Sequence, residues 1–291
     1  MKNDTKSFLV DDDEKVSLAK RPTRIDGPDI SKDVYAAILS EQAARLEALH
    51  ERLFRSGRHA VLVVLQGMDT AGKDGAIKHV MSGVNPQGCK VVSFKQPTPE
   101  ELRHDFLWRC SRQLPERGFI GVFNRSYYEE VLITRVHPEL LEPEGVEVKK
   151  NGLEDLFEER YHDIRGFERH LCANGTKIIK IFLHISKDEQ KKRLLKRLDD
   201  PEKTWKASPS DAVERQYWKD YQRAYELALA ATSRRRAPWH IVPADDKWTA
   251  RLCVSQILIE ALESLPLEPP PPTPERLEEL KIIRAQLEQN N

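Results

Sequence analysis

The sequence predicts an α/β protein built on one parallel sheet with helices on both faces. Two observations carry this expectation. Five short apolar runs rich in β-branched residues are separated by helical stretches, so the order is β-α-β-α throughout. The first run, Ala60 to Gln66, is almost continuously apolar and does not alternate, which marks a strand buried on both faces. The chain of 291 residues suits one large α/β domain or two small ones, and its 39% hydrophobic and 32% charged residues describe a globular, well-solvated protein.

Taken in order, residues 1–32 read as an extended arm with two prolines and the acidic run Asp11–Glu14. Asp33 to Ser56 is expected as a helix, because Tyr35, Ile38, Leu39, Leu46, Leu49 and Leu53 recur at mostly helical spacing. After Ala60–Gln66, further strands are expected at Val91–Phe94, Phe119–Phe123, Ile178–Leu183 and His240–Val242. No internal repeat is visible. Pro266–Pro274 (PLEPPPPTP) cannot lie inside a helix or sheet and is expected as an extended polyproline II spacer. It leads to a last helix, Pro274–Gln289, whose Leu277, Leu280, Ile282, Ile283 and Leu287 form an apolar stripe. That stripe either packs on the body or meets a partner subunit.

Lys plus Arg and Asp plus Glu number 47 each, which argues against a generally basic nucleic-acid binder. Cys89, Cys110, Cys172 and Cys253 form no C-x-x-C pair and no metal-like spacing with histidine, so reduced thiols in a cytoplasmic protein are expected. The start of the chain is polar and acidic without an apolar signal region, and no run of about 18 apolar residues occurs, so no membrane association is expected. The nine histidines are scattered, with no metal or triad pattern.

The strongest local signal follows the first strand. Gly67-Met-Asp-Thr-Ala-Gly72-Lys73 fits G-x-x-x-x-G-K with a strand before it and a helix after it. Glycines let the backbone wrap a phosphate, and the amides at the helix start point inward. Gly67, Thr70, Ala71, Gly72, Lys73, Asp74 and Gly75 are therefore candidate phosphate ligands, with Lys73 adding a mobile positive charge. Asp74 stands where Ser or Thr usually offers a hydroxyl to magnesium, and Asp69 lies within the loop. Carboxylates beside phosphates make sense with a divalent cation between them, and Asp69 is the candidate metal ligand. The plainer alternatives are an Asp69 facing solvent and an Asp74 that favours a helix N-terminus.

Further blocks follow this loop in order: Phe94-Lys95 through Arg109, then Phe123-Asn124-Arg125-Ser126-Tyr127-Tyr128-Glu129-Glu130, then Lys192-Arg193 through Trp205-Lys206, then Ala237-Pro-Trp239 through Asp245-Asp246-Lys247-Trp248. With the glycine-rich loop, these resemble the polyphosphate kinase 2 family over roughly residues 30–265. The resemblance implies a P-loop kinase-like three-layer fold, a five-stranded parallel sheet with a mobile helical lid. Residues 33–265 would form one catalytic domain with a lid at about 187–215. It also implies polyphosphate and adenine nucleotides (with guanine nucleotides as an option) as substrates, Mg2+ (with Mn2+ as a substitute) as cofactor, and a homo-oligomer, dimer or tetramer. The family's second motif usually reads D-R-S-[WY]-Y, its Asp helping to hold magnesium. Asn124 replaces that Asp here, and the N-R-S form followed by Tyr-Glu-Glu resembles the class III subgroup, which phosphorylates both nucleoside mono- and diphosphates.

Other candidates follow. Ser186 and Glu189 suggest a capping box opening a helix on which Arg193 and Arg197 share a face, with Leu194, Leu195 and Leu198 as its buried stripe. Spacing alone leaves the cluster a solvated basic face. Matched to the family's lid, Arg193 and Arg197 become cations for the moving phosphoryl group. Arg125 follows the third strand, where parallel sheets bind ligands, and is expected on a phosphate unless it pairs with Glu129 or Asp69. Lys95 and Arg109 would line a polyphosphate path, and Glu129 would reach the nucleotide. Tyr217, Trp218, Tyr221 and Tyr225 form an aromatic stripe expected in the core. The expected chemistry is reversible, metal-assisted in-line phosphoryl transfer from polyphosphate to AMP or ADP. The alternatives are an ATP-dependent nucleotide or small-molecule kinase and a non-catalytic nucleotide-binding module. A GTPase is disfavoured by the lack of an N-K-x-D motif.

Overall fold

The computed structural model describes residues 5–25, 31–146, 152–206, 208–268 and 271–289. Five strands, β1 (Ala60–Gly67), β2 (Cys89–Ser93), β3 (Ile120–Asn124), β4 (Thr176–His184) and β5 (Trp239–Pro243), form one sheet. Its order is β2-β3-β1-β4-β5 and every neighbouring pair is parallel. All eight residues of β1 are buried, as its unbroken apolar run requires. The chain leaves β1 toward β3 and β2, then returns to β4 on the other side. The carboxyl end of β1 is therefore the switch point where a sheet of this kind opens a crevice.

The helices are α1 (Lys32–Ser56), α2 (Lys73–Val80), α3 (Trp108–Ser111), α4 (Glu129–Val136), α5 (Leu153–Ala173), α6 (Lys187–Asp199), α7 (Pro209–Glu214), α8 (Trp218–Thr232), α9 (Lys247–Glu263) and α10 (Pro274–Gln289). They gather in two groups: α1 and α2 against α9, and α4 and α5 against α8. Ser31 caps α1 by accepting from the Val34 amide, and Gly57 ends it in the left-handed conformation that glycine adopts without strain.

The predicted arm is not a free extension. Phe8, Val10, Val16 and Leu18 are buried in the main core. Leu9 bridges His240, and the Val10 amide donates to the Trp239 carbonyl at 2.9 Å, so the segment covers the edge strand β5. Parts of that arm, 1–4 and 26–30, and of the Pro-rich spacer, 269 and 270, lie outside the described residues. The last helix forms where expected, but it does not pack on the body: none of its residues is buried, and its apolar stripe faces outward. Ion pairs Arg276–Glu279, Lys281–Glu278 and Arg284–Glu288 hold it as a solvated helix.

Two expectations for α6 also change. Leu195 and Leu198 are 51% and 58% exposed, because the face of α6 that meets the body is polar, through Gln190 and Arg193. The Ser186 cap accepts from the Glu189 amide, but Glu189 does not reach back. Its carboxylate pairs with Arg193, and the Ser186 amide donates to Asp245 instead.

Candidate active site

The loop between β1 and α2 closes on itself. A side chain at Gly67 would meet the Leu183 carbonyl at 3.0 Å, so only glycine lets β1 run this close to β4. Gly72 sits at φ 109°, a conformation glycine adopts without strain, and a side chain there would come to 3.8 Å of the Arg193 guanidinium. Lys73 bends back over the loop and donates to the carbonyls of Gly67 at 2.5 Å and Met68 at 3.3 Å. Burial lowers its pKa, Arg125 adds to that, and Asp69, Glu129 and Asp74 oppose it.

Beside this loop stands the turn after β3. Arg125 adopts φ 63°, a strained region for a non-glycine residue, and its amide donates to Leu65. Its guanidinium lies 3.5 Å from Asp69, one of the two pairings anticipated. The Asn124 amide donates to Asp74 at 2.9 Å and to Ser93 at 3.3 Å. The Asn124 Oδ1 and Thr70 Oγ1 atoms are buried without a protein partner.

Two cavities meet here. The first, about 850 Å³, is lined by Asp69 to Ala76 and by Lys95, Arg125, Arg193, Lys196, Arg197, Lys203, Lys247 and Arg251. With Lys73, it carries nine basic side chains against the carboxylates of Asp69, Asp74 and Asp211, a balance that favours anions. The second, about 600 Å³, has the opposite balance. Its carboxylates come from Asp69, Glu129, Glu130, Glu139, Glu144, Asp211 and Glu214, against Lys95, Arg109, Arg125 and Arg215. Leu102, Leu132, Ile133, Leu140 and Tyr225 add apolar walls. Asp69, Phe94, Lys95 and Arg125 line both, so the two spaces join beside the glycine-rich loop.

Several side chains find partners that their spacing in the sequence did not suggest. Arg193 lines the first cavity, but its guanidinium is committed to protein partners. It is 7% exposed and donates to the carbonyls of Thr70, Ala71, Ala244 and Asp245 and to Glu189, bracing the loop against α6. Arg109 is equally buried, and its guanidinium is engaged by Glu130 at 3.0 Å and the Lys95 carbonyl at 2.8 Å, so it supports the wall of the second cavity and offers no free charge to a phosphate chain. Arg197 lines the first cavity and pairs with Asp211 at 3.0 Å. The aromatic stripe splits: Tyr225 is buried and Tyr221 half-buried, both on the second cavity, whereas Tyr217 is exposed against His137. Lys247 and Arg251 were missed. They lie four apart at the start of α9, the spacing that singled out Arg193 and Arg197, and Arg251 reaches to 3.2 Å of where a Gly75 side chain would stand.

Among the described residues, no group of three or more His, Cys, Asp or Glu side chains could hold a metal by itself. Asp69, Asp74 and Asn124 nevertheless all line the cation-rich cavity, and the buried Asn124 Oδ1 has no protein partner. This sparse donor set fits a hard divalent ion that takes one or two carboxylates and completes its shell with substrate phosphates.

A glycine-rich loop at the switch point of a parallel sheet, opening onto a cationic cavity, defines a P-loop phosphotransferase. Residues 29–268 match the family described as polyphosphate kinase 2. The chain is 56% identical over 287 residues to an ADP-polyphosphate phosphotransferase of Rhodopseudomonas palustris, covering 99% of each. It is 48% identical over 228 residues to an AMP/ADP-polyphosphate phosphotransferase of Meiothermus ruber, covering 78% of this chain and 81% of that one. The crystal structure of polyphosphate kinase 2 from Arthrobacter aurescens superposes with a TM-score of 0.82 at 44% identity, covering 93% of both chains. The chain belongs to the polyphosphate kinase 2 family.

Proposed function

We propose that the chain moves a phosphoryl group reversibly between inorganic polyphosphate and nucleoside mono- and diphosphates, AMP to ADP and ADP to ATP. The observation that carries this reading is the pair of joined cavities of opposite charge. A polyphosphate chain suits the cationic space bounded by Lys196, Arg197, Lys203, Lys247 and Arg251, and a nucleoside suits the acidic, partly apolar space beyond Arg125. The reacting phosphorus would sit where they join. The Rhodopseudomonas relative is named for ADP and the Meiothermus relative for both AMP and ADP, which supports use of both acceptors.

Lys73 would exchange its carbonyl partners for phosphate oxygens, joined by the loop amides. Arg125 would neutralise charge on the transferring group, and Arg197 and Lys203 would hold the donor chain. Arg193 would act one step back, by fixing the loop carbonyls. Asp69, with Asp74 and Asn124 beside it, would hold Mg2+, or Mn2+ in its place. When bound, the ion would supply positive charge against that developing on the transferring phosphoryl group. The transfer is in line, with no covalent enzyme intermediate. Adenine and guanine nucleotides are both candidates, in a cytoplasmic homo-oligomer, and no helix among the described residues is long and apolar enough to cross a membrane.

The test is incubation with polyphosphate, Mg2+ and each of AMP, ADP, GMP and GDP, with contaminating adenylate kinase inhibited and the products resolved over time. AMP should give ADP and then ATP. ADP that accumulates from AMP without becoming ATP, or AMP that stays inert while ADP reacts, would remove the dual-acceptor reading.

A further inference from the structure

Below the turn that carries Arg125 lies a buried polar cluster that the chemistry above does not use. Lys180 of β4 is fully buried and donates three hydrogen bonds: to Glu168 Oε2 at 2.6 Å, to the Tyr128 hydroxyl at 2.9 Å and to the Thr232 carbonyl at 2.8 Å. Glu168 of α5 is buried too, and its Oε1 accepts from the hydroxyls of Tyr127 at 2.9 Å and Tyr128 at 2.8 Å. Every proton of the ammonium therefore has an acceptor, and both carboxylate oxygens are taken. The charges cancel within the cluster.

A buried ion pair contributes little net stability compared with an apolar filling of the same space, so stability alone is a weak reason for this one. Its geometry gives a better reason. Tyr127 and Tyr128 follow Arg125 by two and three residues, and Arg125 holds φ 63°. A non-glycine residue keeps that conformation only when its surroundings over-determine it. The turn is held from above by the Arg125 amide on Leu65 and by Gln66 donating to the Ser126 hydroxyl at 3.2 Å. From below, the two tyrosine hydroxyls share hydrogen bonds with the side chains of Glu168, Lys180 and Thr232, and Trp239 adds one to Tyr128. Three elements, β4, α5 and the end of α8, thus converge on one turn.

We propose that Glu168 and Lys180 are positioning residues: through Tyr127 and Tyr128 they lock the strained turn that aims Arg125 at the junction of the two cavities. This rests on the assignment of Arg125 to the transferring phosphoryl group. Loosening the lock costs turnover because a guanidinium displaced by about 1 Å loses much of its effect on a transition state. The residues themselves touch no substrate.

The test is a double-mutant cycle between Arg125→Gln and Tyr128→Phe, repeated with Tyr127→Phe, reading kcat and KM for polyphosphate and ADP together with the melting temperature of each protein. The phenylalanines keep ring volume and remove one hydroxyl each, so they report even where Glu168→Gln or Lys180→Met does not fold. Arg125→Gln should lower kcat about 10²-fold or more. Tyr128→Phe should lower kcat about 10-fold in the wild-type background, with KM values within about twofold, and should add less than about twofold once Arg125 is gone. Its effect on melting should be the same in both backgrounds. A loss of kcat that is equally large with and without Arg125, or a lowered melting temperature with unchanged kcat, would overturn the positioning role and leave a scaffold. An Arg125→Gln protein with wild-type kcat would instead remove the assignment of Arg125, and this proposal with it.

Discussion

The Lys73 amine is held against the carbonyls of Gly67 and Met68, weaker acceptors than the phosphate oxygens it would meet. Replacing Lys73 by Ala should lower kcat by about 10²–10³, the usual loss for one preorganised charge contact, with an unchanged melting curve. A folded variant with near wild-type turnover would take Lys73 out of the chemistry. Asp69 faces two demands, since it pairs with Arg125 and lines the cavity where phosphates and metal would meet. Asp69→Asn should move the Mg2+ titration of activity to higher concentration, because Asn124 is neutral and offers only a carbonyl oxygen. An unshifted titration would show that Asp69 holds no metal. Asn124 also answers a local problem: its amide donates a hydrogen bond to Asp74 at 2.9 Å, where a carboxylate would oppose another carboxylate.

At the scale of elements, α6 carries two arginines with different work. Arg193→Gln should destabilise the fold by about 1.5–3 kcal/mol, as expected for losing charged hydrogen bonds, and should slow transfer through a looser loop. Arg197→Gln should leave stability nearly unchanged, raise the KM for polyphosphate and make it less sensitive to salt, because one cation is lost from the cavity where a polyanion would lie. Kinetics and melts of both variants over a salt series separate the two roles. The N-terminal segment is the second element that matters. Leu18→Ala should cost about 2–5 kcal/mol, since Leu18 is 1% exposed in the main core, whereas deleting residues from Pro274 onward should leave the melting temperature unchanged. The strands and most helices were legible because β-branched runs and helical periodicity are local signals. The docking of Phe8, Val10, Val16 and Leu18 was not, because four apolar residues in a polar stretch do not say which edge they cover. The engagement of Arg109 and Arg193 was equally hidden, since it depends on carbonyls that only the folded backbone brings into place.

At the scale of the whole molecule, the sheet gathers charge from distant parts of the chain, and that is why the glycine-rich loop was readable in sequence while the cavity around it was only half so. Lys247 and Arg251 come from α9, more than a hundred residues after the loop they face. The folded state also carries a titration signature. Burial pushes His240 down to about 4, so between roughly pH 6.5 and 4 the unfolded chain binds a proton that the native protein refuses. Stability should therefore fall as pH drops through that window, by roughly 3 kcal/mol at its lower end, and His240→Gln should flatten the slope in denaturant melts taken at pH 7 and pH 5. A slope that is unchanged in the variant would assign the acid sensitivity to other groups. Whether donor and acceptor occupy cavities of opposite charge is measured most directly by the separate KM for polyphosphate and for ADP in a Lys247→Gln, Arg251→Gln double variant. The two-cavity arrangement predicts a polyphosphate KM raised about tenfold, with the ADP KM unchanged, as expected when cations are removed from one polyanion path. A raised ADP KM with an unchanged polyphosphate KM would contradict it.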